Sequence, residues 1–174
     1  KPLRELRFGD DLSLKLMRPE EVSRSYVAWL NDFEVTKFTE ARHEEHTIAT
    51  QKSYVSDLLS SDRDFLWGIY VSNDLIGTIK LGDICKIHKR AHVSFILGRK
   101  DFWSKGIMSR VLSGVEHYAG TVLGLKKLNA GYYRPNIGSA RLFQKLGWEV
   151  EGVRRKDAVF GKTRTDVILV GKVL

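Results

Sequence analysis

One stretch does most to limit what this chain can fold into: the hydrophobic run Val93-Ser94-Phe95-Ile96-Leu97-Gly98, which passes through a basic glycine loop into a long helical pattern. The loop reads Phe102-Trp103-Ser104-Lys105-Gly106-Ile107-Met108. Beyond it, Ile107, Val111, Leu112, Val115, Tyr118, Ala119, Val122 and Leu123 keep helical spacing, and Gly124 supplies an end. A strand that turns straight into a helix leaves backbone N–H groups unpaired, with the positive end of the helix dipole behind them. Such a corner is suited to an anion, although glycine and lysine also serve simply to turn a chain and keep it soluble. Lys127–Tyr133 reads as the next strand, and the intervening helix makes it parallel to Ala91–Gly98 through a right-handed crossover.

The earlier elements are shorter. Leu12–Leu16 alternates like a half-buried strand, and Arg18-Pro19-Glu20-Glu21 reads as the start of a helix with Val22, Tyr26, Trp29 and Leu30 on one face, stopping near Asn31-Asp32. Glu40 to His46 is polar and reads as a loop; its two histidines stand three apart, one short of the zinc-protease spacing, so no metal is expected. Thr47 can cap a second helix with Ile48, Tyr54, Val55, Leu58 and Leu59 on its apolar face and Gln51 as a polar break. Phe65–Val71 and Leu75–Leu81 form a hairpin about Ser72-Asn73-Asp74. Asn136 can cap a short helix carrying Ala140, Leu142, Phe143 and Leu146, closed by Gly147. A last hairpin, Glu149–Val159 with Arg164–Val173, turns at Phe160-Gly161-Lys162-Thr163, which lacks the upstream glycine and following helix of a phosphate loop.

At 174 residues the chain fits one domain, 1–174, and no apolar run approaches the length of a membrane span. Lys1–Glu5 has no apolar signal core, and Cys85, the single cysteine, is read as structural; a cytoplasmic location is expected. The charge is divided: residues 1–98 hold 14 basic and 15 acidic side chains, residues 99–174 hold 15 and 6, so the halves stand at −1 and +9. The second half suits an anionic partner. Nucleic-acid motifs are missing, so a phosphorylated small molecule is expected instead of DNA or RNA.

The order β-α-α-β-β-β-α-β-α-β-β resembles the GNAT acyl-coenzyme A transferase superfamily, an α/β (α+β) fold with a mixed, mostly antiparallel twisted sheet of about seven strands and four helices. Two motifs carry the resemblance. Trp103-Ser104-Lys105-Gly106-Ile107-Met108 is similar to the family's pyrophosphate loop in its ribosomal-protein and amino-sugar acetyltransferase branches. Asn136-Ile137-Gly138-Ser139-Ala140-Arg141-Leu142-Phe143-Gln144-Lys145-Leu146-Gly147-Trp148 is similar to the Asn-x-x-Ser…Lys-x-Gly-aromatic segment of the same branches.

The resemblance implies acetyl-CoA as co-substrate, with the two parallel strands splayed apart around the pantetheine arm. It places that arm against the backbone of Phe95, Ile96 and Leu97, the pyrophosphate on the N–H groups near Lys105–Met108, and Asn136 and Ser139 beside the cofactor. The reaction it implies is direct attack of a primary amine on a thioester: an ammonium with a pKa near 10 must lose its proton, and a backbone N–H, that of Phe95, can polarise the carbonyl.

Two departures from the family matter here. His92 stands where many relatives have Glu, and it is read either as the base or as a core or rim histidine. Phe143 stands where many have Tyr, so the acid that protonates the leaving thiolate falls to Ser139, or to Tyr132 or Tyr133. Trp29 and Trp67 are assigned to the acceptor side, with a core role as the alternative. The expected activity is N-acetylation of a small amine, such as an amino sugar or a nucleotide-linked amino sugar. The alternatives are acetylation of a protein N-terminus and a non-catalytic acyl-CoA-binding domain. A monomer or a homodimer fits equally well.

Overall fold

The computed structural model describes residues 2–174. Eight strands form one sheet: β1 (Glu5–Arg7), β2 (Leu12–Leu16), β3 (Phe65–Val71), β4 (Asp74–Cys85), β5 (Arg90–Leu97), β6 (Lys127–Tyr133), β7 (Glu149–Phe160) and β8 (Thr163–Val173). Their order across the sheet is β1-β2-β3-β4-β5-β6-β8-β7. Every neighbouring pair is antiparallel except β5 with β6, which is parallel, as the crossover through the central helix requires. The sheet thus exceeds the expected seven strands by one. Three residues of β1, with one apolar side chain at Leu6, carry too little alternation to be read, and β1 owes its existence to pairing along β2.

The described residues form five α-helices: α1 (Arg24–Asn31), α2 (Phe33–Thr36), α3 (Ile48–Ser60), α4 (Ile107–Thr121) and α5 (Ile137–Lys145). The expected first helix is broken. Pro19–Glu21 forms only a 3-10 turn, Val22 is extended, and Ser23 starts α1 by accepting a hydrogen bond from the Tyr26 N–H at 3.1 Å. The cap thus lies five residues beyond Arg18, because Ser23 offers an acceptor for the helix N–H groups and Arg18 does not. Asp32 then caps the single turn of α2.

On α3, Thr47 is the cap as expected, with Thr50 returning the bond. Its buried face, however, is Val55 and Gln51, while Ile48, Tyr54 and Leu59 are exposed. Gln51 can be buried because its amide donates to the Tyr26 hydroxyl at 2.9 Å.

The core lies between α4 and one face of the sheet. Val111, Leu112, Val115 and Ala119 are fully buried against Leu12, Leu14, Trp67, Ile69, Ile79 and Leu128. α4 stops at Thr121, so Val122, counted on the apolar face, is exposed. Trp148 closes the core beside Phe143, and its indole N–H donates to Glu116 at 2.6 Å, which Lys172 also meets at 2.7 Å. The second motif therefore ends in a buried polar knot tying α4 to β8. A smaller apolar cluster, Met17, Val22, Tyr26, Trp29, Leu30, Val55 and Leu66, packs α1 and α3 on the other face.

Candidate active site

The parallel pair β5–β6 is registered only at Arg90–Lys127, Ala91–Leu128 and His92–Asn129, although both strands run on, to Leu97 and Tyr133. Beyond His92 the strands have parted. The Gly98 N–H donates to the Ile76 carbonyl at 2.9 Å, and bonding alternates along an antiparallel pair, so the groups of Ile96, Ser94 and His92 point to β4. Those of Val93, Phe95 and Leu97 point the other way, into the gap. The Leu97 carbonyl is taken there by the Trp103 indole N–H at 2.8 Å. Phe95 keeps both its N–H and its C=O directed at a gap where no strand lies, an arrangement that accepts an extended amide chain.

Past the end of β5, the chain makes a 3-10 turn at Lys100–Phe102 and enters α4 through two left-handed residues, Ser104 (φ 58°) and Gly106 (φ 75°). No side chain caps α4, so the N–H groups of its first turn are left to solvent or a ligand. Arg110, one turn in, is held away by Asp11 at 2.9 Å and the Phe8 carbonyl at 2.6 Å. Lys105 is exposed above the Phe102 ring, whereas Ile107 is buried and Met108 half-buried in the core. Of the loop, Ser104, Lys105 and Gly106 are thus open to an anion along with the backbone of the helix start, while the side chains of Ile107 and Met108 serve packing.

On the sheet face opposite α4, a cavity of about 1000 Å³ lies between β4, β5 and β6 and the segment 38–54. His92, Ser94, Phe95, Ile96, Asn136, Ser139, Tyr133 and Phe143 line it. His92 opens into the cavity; desolvation there holds its imidazole below the ordinary histidine pKa, opposed by the Asp83 carboxylate and aided by Lys80. Ser139 sits in the first turn of α5, half-buried, its N–H bonded to the Asn136 side chain at 3.1 Å. Asn136 is therefore the α5 cap and a wall of the cavity together.

The Tyr133 hydroxyl donates to the Glu40 carboxylate, and the Arg42 guanidinium lies over its ring at 4.8 Å. Arg42 also donates to the Lys37 and Val159 carbonyls, at 2.8 and 2.6 Å. The segment read as a plain polar loop is thus a 3-10 turn, Glu40–His43, latched across the cavity to β6 and β7. Phe143 is buried between Phe95, Tyr132 and Trp148 and has no proton to give.

The two tryptophans assigned to the acceptor side do not line the cavity. Along β3, neighbours alternate, so Leu66 faces the cavity and Trp67 the opposite face, where it is fully buried against Tyr118 and donates to the Leu3 carbonyl at 3.2 Å. Trp29 is buried against Gly98: a Cβ there would meet its ring at 2.0 Å. Missed by the sequence reading were the cavity acids Glu40, Glu44, Glu45, Asp83 and Glu151. They come from three separate segments, and nothing local in the sequence brings them together. Among the described residues, no His/Cys/Asp/Glu group is arranged to hold a metal ion, and no helix is long and apolar enough to cross a membrane.

A sheet splayed at one parallel pair, with a left-handed turn into an uncapped helix beside it, is the arrangement that the resemblance to the acyl-coenzyme A transferases implies. Residues 11–149 match the acetyltransferase (GNAT) domain family. The chain belongs to that family and is an acyltransferase. An uncharacterized N-acetyltransferase of Bacillus subtilis, YoaA, is 29% identical over 152 residues, 84% of each chain. In fold, the chain superposes on a ribosomal L7/L12 α-N-protein acetyltransferase in complex with coenzyme A with a TM-score of 0.87, at 15% identity and 98% coverage of both chains. It superposes on a spermidine N-acetyltransferase of Vibrio cholerae in complex with CoA and spermine with a TM-score of 0.83, at 17% identity over 94% of this chain and 95% of that one.

Proposed function

We propose that the chain transfers an acetyl group from acetyl-CoA to the primary amine of a small, uncharged or cationic acceptor. The observation that carries this reading is the meeting of two features: the unpaired Phe95 backbone in the gap and an acid-rich cavity opening at His92. The cavity wall holds Glu40, Glu44, Glu45, Asp83 and Glu151 against Lys80 and Arg154, in a chain whose net charge is +8. Such a wall draws an ammonium in and disfavours a nucleotide-linked sugar, whose diphosphate would meet those carboxylates. Amino sugars and polyamines remain.

Acetyl-CoA supplies the activated acyl group. The residues placed to hold it are Phe95 and the N–H of Leu97 through their gap-side backbone, Ser104–Gly106 and the α4 start through unpaired N–H groups, and Asn136 and Ser139 on the facing helix. His92, kept neutral near pH 7 by its surroundings, takes the ammonium proton, and the pair left on nitrogen is the nucleophile. The Phe95 N–H is aimed into the gap where negative charge would develop on the thioester oxygen. Ser139, whose hydroxyl has no hydrogen-bond partner among the described residues, is the better placed acid for the thiolate; the Tyr133 proton is already given to Glu40.

The test has two arms. Saturating acetyl-CoA should raise the melting temperature by several degrees, as ligand at about a hundred times its Kd stabilises by about 2.7 kcal/mol. Release of free thiol is then followed with glucosamine, spermidine and a serine-initiated peptide as acceptors. Turnover of glucosamine or spermidine supports the reading. Peptide turnover alone replaces it with protein N-terminal acetylation, and stabilisation with no turnover of any amine points to a binding domain.

A further inference from the structure

We propose that Asp83, turned into the cavity by a bulge in β4, is a positioning residue that acts through His92. The inference rests on the reading of His92 as the base.

On β4, the register with β5 runs from Gly82–His92 to Cys85–Arg90, three steps on one strand against two on the other, so β4 carries one extra residue. Asp83 stands in that bulge in the left-handed region, φ 51°. The position favours glycine; Asp tolerates it, at a cost. Bulges re-aim side chains next to active sites, and an observed backbone outlier is grounds for a functional hypothesis.

The surroundings hold the bulge in place. The Asp83 N–H donates to the Asp64 carboxylate at 3.2 Å, the same carboxylate group receives the Ser61 hydroxyl at 3.0 Å, and the Ile84 N–H donates to the Arg63 carbonyl at 3.0 Å. The Asp83 carboxylate itself is exposed, lines the cavity, and takes part in no hydrogen bond or ion pair among the described residues. It lies one residue beyond Gly82, the cross-strand partner of His92.

The neighbours of His92 explain why a carboxylate is needed there. Lys80 stands on its own side of β4. Across β6, Asn129 is bonded to the Lys127 ammonium at 3.1 Å, and that ammonium is paired to Glu151. The segment over the cavity contributes Glu40, tied to Tyr133, together with Glu44, Glu45 and His46. Of these charges, Asp83 and Lys80 bear on His92 in opposite senses, the carboxylate favouring the imidazolium and the ammonium opposing it. When the ammonium N–H bond breaks, the electron pair stays on nitrogen and the proton passes to the imidazole. The resulting imidazolium, on an exposed side chain at the cavity wall, has Lys80 as a like-charged neighbour, and Asp83 supplies the countercharge until the proton leaves to solvent.

The experiment uses three full-length variants: Asp83→Asn, Asp83→Gly and His92→Gln. The imidazole of His92 is titrated by NMR in the ligand-free protein, its signal assigned by its loss in His92→Gln. Both Asp83 variants should lower the His92 pKa. Acceptor kcat/KM, measured with spermidine and glucosamine, should fall at least about tenfold, the scale of one charge-assisted hydrogen bond. Asp83→Gly should melt at or above the parent temperature, since glycine relieves the left-handed backbone. An unchanged His92 titration in Asp83→Asn, or a clear loss of melting temperature in Asp83→Gly, overturns the inference. Parent-like turnover by His92→Gln overturns the base assignment instead, whatever the Asp83 variants do.

Discussion

Gly98 sits where α1 meets the end of β5, and Gly98→Ala tests how tightly the two are joined. A Cβ built there falls 2.0, 2.2 and 2.5 Å from Cδ2, Cε3 and Cγ of Trp29. Ordinary contact begins near 3.4 Å, so the indole or the backbone must move by more than an ångström. The indole has little room: it is buried, and Tyr26 lies against it at 5.7 Å between ring centroids. Overpacking a filled site costs about 1–3 kcal/mol, and a rigid, hemmed-in ring argues for the top of that range, about 3 kcal/mol. For a domain of this size that lowers the melting temperature by about 6–12 °C.

The decisive assay is a double-mutant cycle by urea denaturation. Trp29→Ala alone costs about 3–5 kcal/mol through the cavity it leaves. In that background the added methyl of Gly98→Ala has open space, so its cost should drop below about 0.5 kcal/mol, a coupling of roughly 2.5 kcal/mol. Costs that add within about 0.5 kcal/mol would refute the close approach, and with it the placement of Trp29 as a packing residue and not an acceptor contact.

Other perturbations separate the parts of the site. The pKa of His92 is depressed in the fold, so the acid limb of kcat/KM should lie below pH 6.5; because the unfolded chain binds that proton more readily, His92 also costs stability as pH falls through 6.5, and His92→Gln should flatten both trends. Gly106→Ala, at φ 75° with nothing within 4 Å of the new methyl, should cost about 1 kcal/mol in denaturation, whereas the exposed Lys105→Ala should leave stability unchanged and weaken coenzyme A binding by about tenfold in calorimetry. Ser139→Ala should lower kcat by about 10- to 100-fold with coenzyme A affinity retained, while Tyr133→Phe, which removes a proton already donated to Glu40, should change kcat by less than about threefold. The reverse ranking of those two variants would reassign the thiolate acid to Tyr133.

Elements whose own periodicity matches their burial were legible in the sequence. α4 keeps one face for four turns because a whole helix side packs on the sheet, and the parallel placement of β6 follows from the connection alone. The loop into α4 could be read because its chemistry is backbone: a glycine that must go left-handed, next to a helix start without a cap. What could not be read depended on distant partners. Gln51 looks like a break in an apolar face until Tyr26 is seen to receive its amide. Trp67 and Leu66 differ by one place on β3, and single-residue phase is what a run of buried residues on both faces conceals. Glu40 meets Tyr133 across 93 residues of sequence, and Asp83 becomes a cavity carboxylate only because a bulge, itself pinned by the Ser61–Asp64 turn, shifts β4 by one residue. The two classes divide along the proposed chemistry: the side proposed to hold acetyl-CoA is built from local backbone patterns, and the side proposed to hold the acceptor is built from long-range pairings. For that reason the family was within reach of the sequence, whereas the acid-rich wall facing His92 was not.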